Sequence, residues 1–214
     1  HQVTYEYDGI TPDGTPAKPV GASNVPYGKE IIVAGVPSVP GYTFKGWYDG
    51  EDTNIVTSFA MPDRDVVLKG KFTSNLVNYQ VKYWHQNLNA GDVFNASEYT
   101  LKEEYSAEAY TGQYVQAERK PYAGFALNTA QSNPQDYVTV DAGGTGNLVL
   151  NLYFDRHTYN VTYDYYGEQP AGLPDLTSKN KTNVRFGTVV DVESKPAYSG
   201  HVFDGWYTRT ATVE

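Results

Sequence analysis

Short runs in which apolar and polar positions alternate mark this chain as a succession of strands. Val3, Tyr5 and Tyr7 fall on one side of an opening strand with Thr4 and Glu6 on the other, and Val161, Tyr163 and Tyr165 repeat the arrangement. The segment 10–28 carries Pro12, Pro16, Pro19 and Pro26 among scattered glycines, which removes backbone donors and leaves a crossing loop rather than a helix or a central strand. A second strand is predicted over 29–35. A third covers 41–48, where Tyr42, Phe44 and Trp47 compete for the inside past an irregularity at Gly46; that glycine and Gly205 mark a bulge or a close backbone approach. A closing strand over 65–73 turns Val66, Leu68 and Phe72 inward and Val67, Lys69 and Lys71 outward. Further along, 79–86 opens a new set, 97–106 and 112–118 alternate, and 147–155 closes it with Leu148, Leu150, Leu152 and Phe154 on one face. The glycine-rich run 141–146 reads as the hairpin turn before that strand. Residues 101–110 also admit a helical turn, which their Tyr and Ser content disfavours.

The pattern repeats itself. GYTFKGWY at 41–48 returns as GHVFDGWY at 200–207, VPYGKEIIV at 25–33 as VRFGTVVDV at 184–192, and VTYEYDG at 3–9 as VTYDYYG at 161–167, all displaced by 158 or 159 residues. The VKYW run at 81–84 stands close to midway. A period near eighty residues is too long for a helical or leucine-rich solenoid, so each repeat is expected to be a small domain with its own core. The expected organisation is three mainly β modules in an elongated tandem array, over 1–76, 77–157 and 158–214. Each sits near the small end of independently folding size. The last is expected to lack its closing strand and to expose an edge, which implies a shortened piece, a trimmed chain or a neighbour that supplies the strand. Only a few residues, 75–78 and 155–157, join the modules, too few for a flexible linker.

Composition narrows the functions. A net charge of −9 and a pI of 4.9 oppose a nucleic-acid partner, whose phosphates call for clustered Lys and Arg. No window reaches the roughly 18–20 apolar residues of a membrane span, so membrane insertion is not expected. The absence of cysteine excludes thiol catalysis and disulfide staples. Twenty tyrosines, rings with polar tips, suit sheets with one wet face.

Candidate chemistry is sparse. Asp49, Glu51 and Asp52 cluster in a turn, the best divalent-cation candidate, although the spacing is not that of a twelve-residue calcium loop and a solvated acidic turn is the simpler reading. Asp63 and Asp65 around Arg64 read as a turn with a local ion pair. The histidines at 1, 85, 157 and 201 are too far apart for a chelating motif and read as surface residues, with His1 and His157 placed at module junctions. Glu103, Glu104, Glu6 and Asp164 offer carboxylates, but small modules rarely flank a glycosidase cleft, and no catalytic residue and no cofactor are assigned. Trp47 and Trp206 occupy equivalent positions and read as core. Trp84 is different, because Tyr83 or Trp84 must face outward on a regular strand. Phe94 lies where a turn is usually polar, so Trp84 and Phe94 are the ligand-binding candidates. Lys82, on the same outer face, is the one candidate for an intramolecular crosslink, with an ordinary exposed lysine as the simpler reading.

VTYEY, GYTFKGWY and MPDRDVVLKGKF resemble the internalin-type B-repeat, also called the Listeria-Bacteroides repeat; the matching residues include Gly41, Phe44, Gly46, Trp47, Met61 and Pro62, and, in the last module, Gly200, Phe203, Gly205 and Trp206. The middle module, with VKYWHQNLN, AGFALN and LVLNLYFDRHTYNVTY, is similar to mucin-binding-protein repeats. The resemblance implies a ubiquitin-like β-grasp fold and a non-catalytic place in a wall-anchored, extracellular surface protein of Gram-positive bacteria. There the modules would form a stalk or spacer with neighbouring repeats of the same polypeptide as partners, or, alternatively, an adhesin that binds host glycan or mucin through exposed aromatics of the middle module.

Overall fold

The computed structural model of the chain describes residues 1–50, 56–140 and 147–208. Contacts gather it into two compact units. The first contains His1–Lys82, Glu103–Glu118 and Ser132–Leu152, and the second Tyr83–Lys102, Arg119–Gln131 and Tyr153–Glu214.

The N-terminal repeat lies within the first unit and contributes β1 (Val3–Asp8), β2 (Glu30–Ile32), β3 (Tyr42–Asp49), β4 (Ser58–Ala60) and β5 (Val66–Ser74). β5 is central in a three-stranded sheet, parallel to β1 and antiparallel to β3, while β2 and β4 form a separate antiparallel pair. Alternation dictates the core. Val3 and Tyr5 from β1 and Val66 and Leu68 from β5 meet Trp47, Val25 and Met61. The predicted irregularity is present: the β3–β5 register shifts between Phe44 and Trp47, around Gly46 at φ 110°. Opposite Trp47, Gly70 leaves the space that the rings fill, since a Cβ there would lie 2.3 Å from Phe44 and 2.6 Å from Trp47. The proline-rich segment 10–28 is a loop, tied to the sheet where Val3 and Ala22 exchange backbone bonds of 2.8 and 3.0 Å.

The middle segment supplies β6 (Leu76–Gln86), β7 (Tyr99–Tyr110), β8 (Tyr114–Gln116), β9 (Phe125–Leu127), β10 (Gln135–Tyr137) and β11 (Val149–Arg156). The order β7-β6-β11-β9 makes the largest sheet, and β8 pairs with β10. Leu148, Leu150, Leu152 and Phe154 are all buried, as their alternation requires. Residues 101–110 are strand, so the helical alternative fails: they continue β7 from Tyr99 to Tyr110, and pairing with β6 supplies what weak helix propensity does not. The expected turn over 141–146 lies outside the described residues; Val140 and Asn147, on either side of it, form an antiparallel bridge.

The C-terminal repeat, within the second unit, shows the antiparallel pair β12 (Thr158–Val161) and β13 (Lys181–Arg185). Its aromatic centre reproduces the N-terminal one. Trp47 meets Tyr5 at 4.9 Å and 75° and Phe44 at 4.9 Å and 63°; Trp206 meets Tyr163 at 4.8 Å and 70° and Phe203 at 4.8 Å and 61°. In each, the tyrosine hydroxyl accepts a backbone N–H, from Ala34 at 2.9 Å and from Glu193 at 3.2 Å. One difference stands out: the Trp206 indole donates to Glu193 O at 2.9 Å, whereas the buried Trp47 indole N–H has no partner among the described residues. Trp47 is buried in its centre, while Trp206 is half-buried in its own.

Candidate functional site

β6 sorts its side chains by parity. Tyr83 is fully buried, with Tyr122 and Phe154 ring centroids at 6.2 and 6.4 Å and the Lys120 ammonium 4.8 Å from its ring centre. His85 shares that inner side and stacks on Phe125 at 4.1 Å, so it is a half-buried ring and not the surface histidine expected; the hydrophobic neighbours of an alternate strand position reach it. Trp84 faces the other way, half-buried, and stacks on Tyr153 at 6.2 Å and 19°. Phe94 reaches the same ring from the loop after β6, at 5.0 Å from Tyr153 and 5.3 Å from Tyr99. The two candidate binding residues are thus brought together around Tyr153. Sequence reading missed Tyr99 and Tyr153: Tyr153 lies at outward parity on β11, between the buried Leu152 and Phe154, whereas Tyr99 is itself buried.

The loop is set locally. The Asn95 carboxamide accepts the Ser97 N–H at 3.1 Å and starts a single 3-10 turn, Ala96–Glu98, while the Glu98 carboxylate accepts the Gly91 N–H at 2.9 Å. A shallow concavity lies against Phe94, Asn95 and Glu98. At the far side of the aromatic group, the Tyr99 hydroxyl donates to Asp155 at 2.5 Å, and the Asn128 amide donates to the same carboxylate at 2.9 Å. Burial, and then the bond to the Asp155 carboxylate, push the Tyr99 phenol well above its usual value.

The other candidates resolve differently. Asp49 holds Arg64 through two bonds of 3.1 and 2.6 Å, while Glu51 and Asp52 lie outside the described residues. The local ion pair foreseen around Arg64 is not formed. The guanidinium crosses to Asp49 at the end of β3, and Asp63 and Asp65 face the His1 imidazole at 3.0 and 3.8 Å. No group of three acidic or histidine side chains suited to a metal occurs among the described residues. Lys82, expected to be exposed, is half-buried and lies 3.4 Å from Glu104, because β6 and β7 are neighbours. No helix among the described residues is long and apolar enough to cross a membrane.

The joining residues form a second constellation. In the first unit, one residue separates β5 from β6. That residue, Asn75, donates its N–H to Gly41 O at 2.9 Å and accepts the Thr111 N–H at 3.0 Å. Gly41, at φ 78°, presses against Thr111: a Cβ there would lie 2.7 Å from the Thr111 hydroxyl. In the second unit, His157 stands between β11 and β12 and repeats the arrangement. Its N–H goes to Gly124 O at 2.9 Å and its carbonyl accepts the Phe186 N–H at 2.8 Å, while the Phe186 ring lies on Gly124, also at φ 78°. Arg185 adds to this joint by donating to the carbonyls of Leu88, Ala90 and Gly91.

Small sheets, duplicated aromatic centres and bonded joints define a β-structured repeat protein. A sequence profile of the Listeria-Bacteroides repeat domain matches residues 1–73 and 159–214, more than half of the chain, and the chain belongs to that family. Residues 74–158 lie outside both matches. No curated protein sequence matches. Among solved structures the chain is similar to Streptococcal High Identity Repeats in Tandem (SHIRT) domains 3-4 from a cell surface protein, at 12% identity and a TM-score of 0.27, over 73% of this chain and 98% of that one.

Proposed function

We propose that the chain is a non-catalytic spacer of a bacterial cell-surface protein, made of three small β modules in series, 1–76, 77–157 and 158–214, that holds another domain away from the surface. The observation that carries this reading is the pair of joints: Asn75 and His157 are each bonded on both sides, so neither connection has the character of a free linker. The parallel β1–β5 pair supports a β-grasp arrangement of the first module. With a strand rise of ~3.3 Å per residue, three modules of about ten-residue strands in line reach roughly 100 Å. Small-angle scattering of the whole chain tests the reading: a maximum dimension near that value supports it, and the dimension of a single compact particle of this mass overturns it.

The grouping of Trp84 and Phe94 around Tyr153 favours a second reading, in which the middle module is an adhesin for host glycan or mucin. In this reading the outer faces of the half-buried Trp84 and Phe94 rings would take a stacked sugar ring. Capture on a glycan array that disappears in Trp84→Ala supports this reading. Absence of capture by the unaltered chain refutes it.

A further inference from the structure

The two joints use one turn twice over. The receiving turn runs Tyr110-Thr111-Gly112-Gln113 in one and Arg185-Phe186-Gly187-Thr188 in the other, closed by Gln113 N–H to Tyr110 O at 2.9 Å and Thr188 N–H to Arg185 O at 3.0 Å, with Gly112 and Gly187 at φ 82° and 86°. In both, the residue before the glycine donates its N–H to the joining residue and rests its side chain on the glycine of the preceding segment. The N-terminal repeat contains a third example. Pro26-Tyr27-Gly28-Lys29 is closed by Lys29 N–H to Pro26 O at 3.2 Å, Gly28 lies at φ 78°, and its N–H goes to Met61 O at 2.8 Å as that of Gly112 goes to Val138 O at 2.8 Å. Here the central residue is not engaged. Tyr27 is 75% exposed, against 39% for Phe186 and 6% for Thr111, and its N–H has no partner among the described residues.

We infer that the Tyr27–Gly28 turn is the receiving half of a third joint, shaped to seat on the glycine turn of another repeat of this kind placed before it. The Tyr27 ring would cover that glycine as Phe186 covers Gly124, and its N–H would bond the carbonyl of the preceding joining residue. An aromatic ring exposed on a turn whose two counterparts are docked, with its N–H pointing to no acceptor, fits a β repeat presenting a bare glycine and a free carbonyl rather than a sugar or a cation. The inference rests on the spacer reading and names the partner that spacer takes.

Two measurements test it. In the whole chain, Phe186→Tyr should keep the position-186 amide as slow to exchange as in the unaltered protein, whereas Phe186→Asp should speed it by about tenfold or more; rapid exchange in Phe186→Tyr would show that a tyrosine does not fit such a turn, and sinks the proposal. In a second protein, a copy of residues 76–158 precedes His1, which sets His157-Thr158 before the Val3-Thr4-Tyr5 strand at the spacing they have before Val161-Thr162-Tyr163. The Tyr27 amide should then slow to the level of Phe186, and Gly124→Ala in the added copy should release it. If Tyr27 exchanges as before while Thr111 and Phe186 remain protected, the docking turn is refuted and the spacer reading is untouched.

Discussion

Gly41 carries two constraints at once, a left-handed backbone and contact with Thr111, and they are separable. Gly14, in the same unit, has nearly the same backbone at φ 81° but nothing within 4 Å of its Cβ position. Alanine at either position is strained by the positive φ. Gly41→Ala must in addition displace Thr111, and it is expected to cost about 1–3 kcal/mol more than Gly14→Ala, measured by urea unfolding. Tyr99 gives a pH signature. Its phenol is held neutral in the fold by burial and by the Asp155 carboxylate, so the folded-state value lies above the ordinary value near 10. The stabilisation is complete below that ordinary value and is lost as pH rises from about 10 toward the folded-state value. Stability should therefore decline above about pH 10 in the unaltered protein, and Tyr99→Phe should flatten that decline; an unchanged slope would remove the role assigned to the buried phenol.

Strand elements were legible because their signal is local. In β5 and β11 every second residue is apolar, and the buried positions follow that count without reference to anything distant. The outward parity of Trp84 was legible for the same reason. What joins elements was not. Arg64 reaches Asp49 only because β3 and β5 pair in one register, and the joints are made of backbone N–H and carbonyl groups, which every residue carries. Their sequence trace is slight, a glycine before Tyr42, Phe125 and His201 and another after Tyr27, Thr111 and Phe186, and it gains meaning once the segments are compared. Arg185 belongs to this level. Its guanidinium satisfies three carbonyls of one loop, and charge-assisted bonds of this kind contribute about 1.5–3 kcal/mol. Arg185→Ala should raise amide exchange at Phe186 and Gly91 with little change at Thr111; equal effects at all three would show that the loss is global instead of confined to that joint.

At the scale of the molecule, two interiors of the same plan differ in completeness. Trp47 is 1% exposed within a cluster of buried side chains, Val3, Tyr5, Val25, Met61, Val66 and Leu68, whereas Trp206 is half-buried and Tyr163 alone is buried among the described residues of its repeat. The expected result is two unfolding transitions. Followed in the variants Trp84→Phe with Trp206→Phe and Trp84→Phe with Trp47→Phe, the Trp206 fluorescence should change at lower urea than that of Trp47, while coincident midpoints would mean one cooperative body. The pairing of β1 with β5 has a mechanical outcome. The two strands run the same way, joined along six residue pairs from Val3–Val66 to Asp8–Lys71, and the repeat enters through one and leaves through the other. Tension drawn through the backbone would slide them past each other lengthwise, loading the whole ladder in shear rather than peeling it bond by bond, so the first repeat should resist pulling up to a single abrupt rupture.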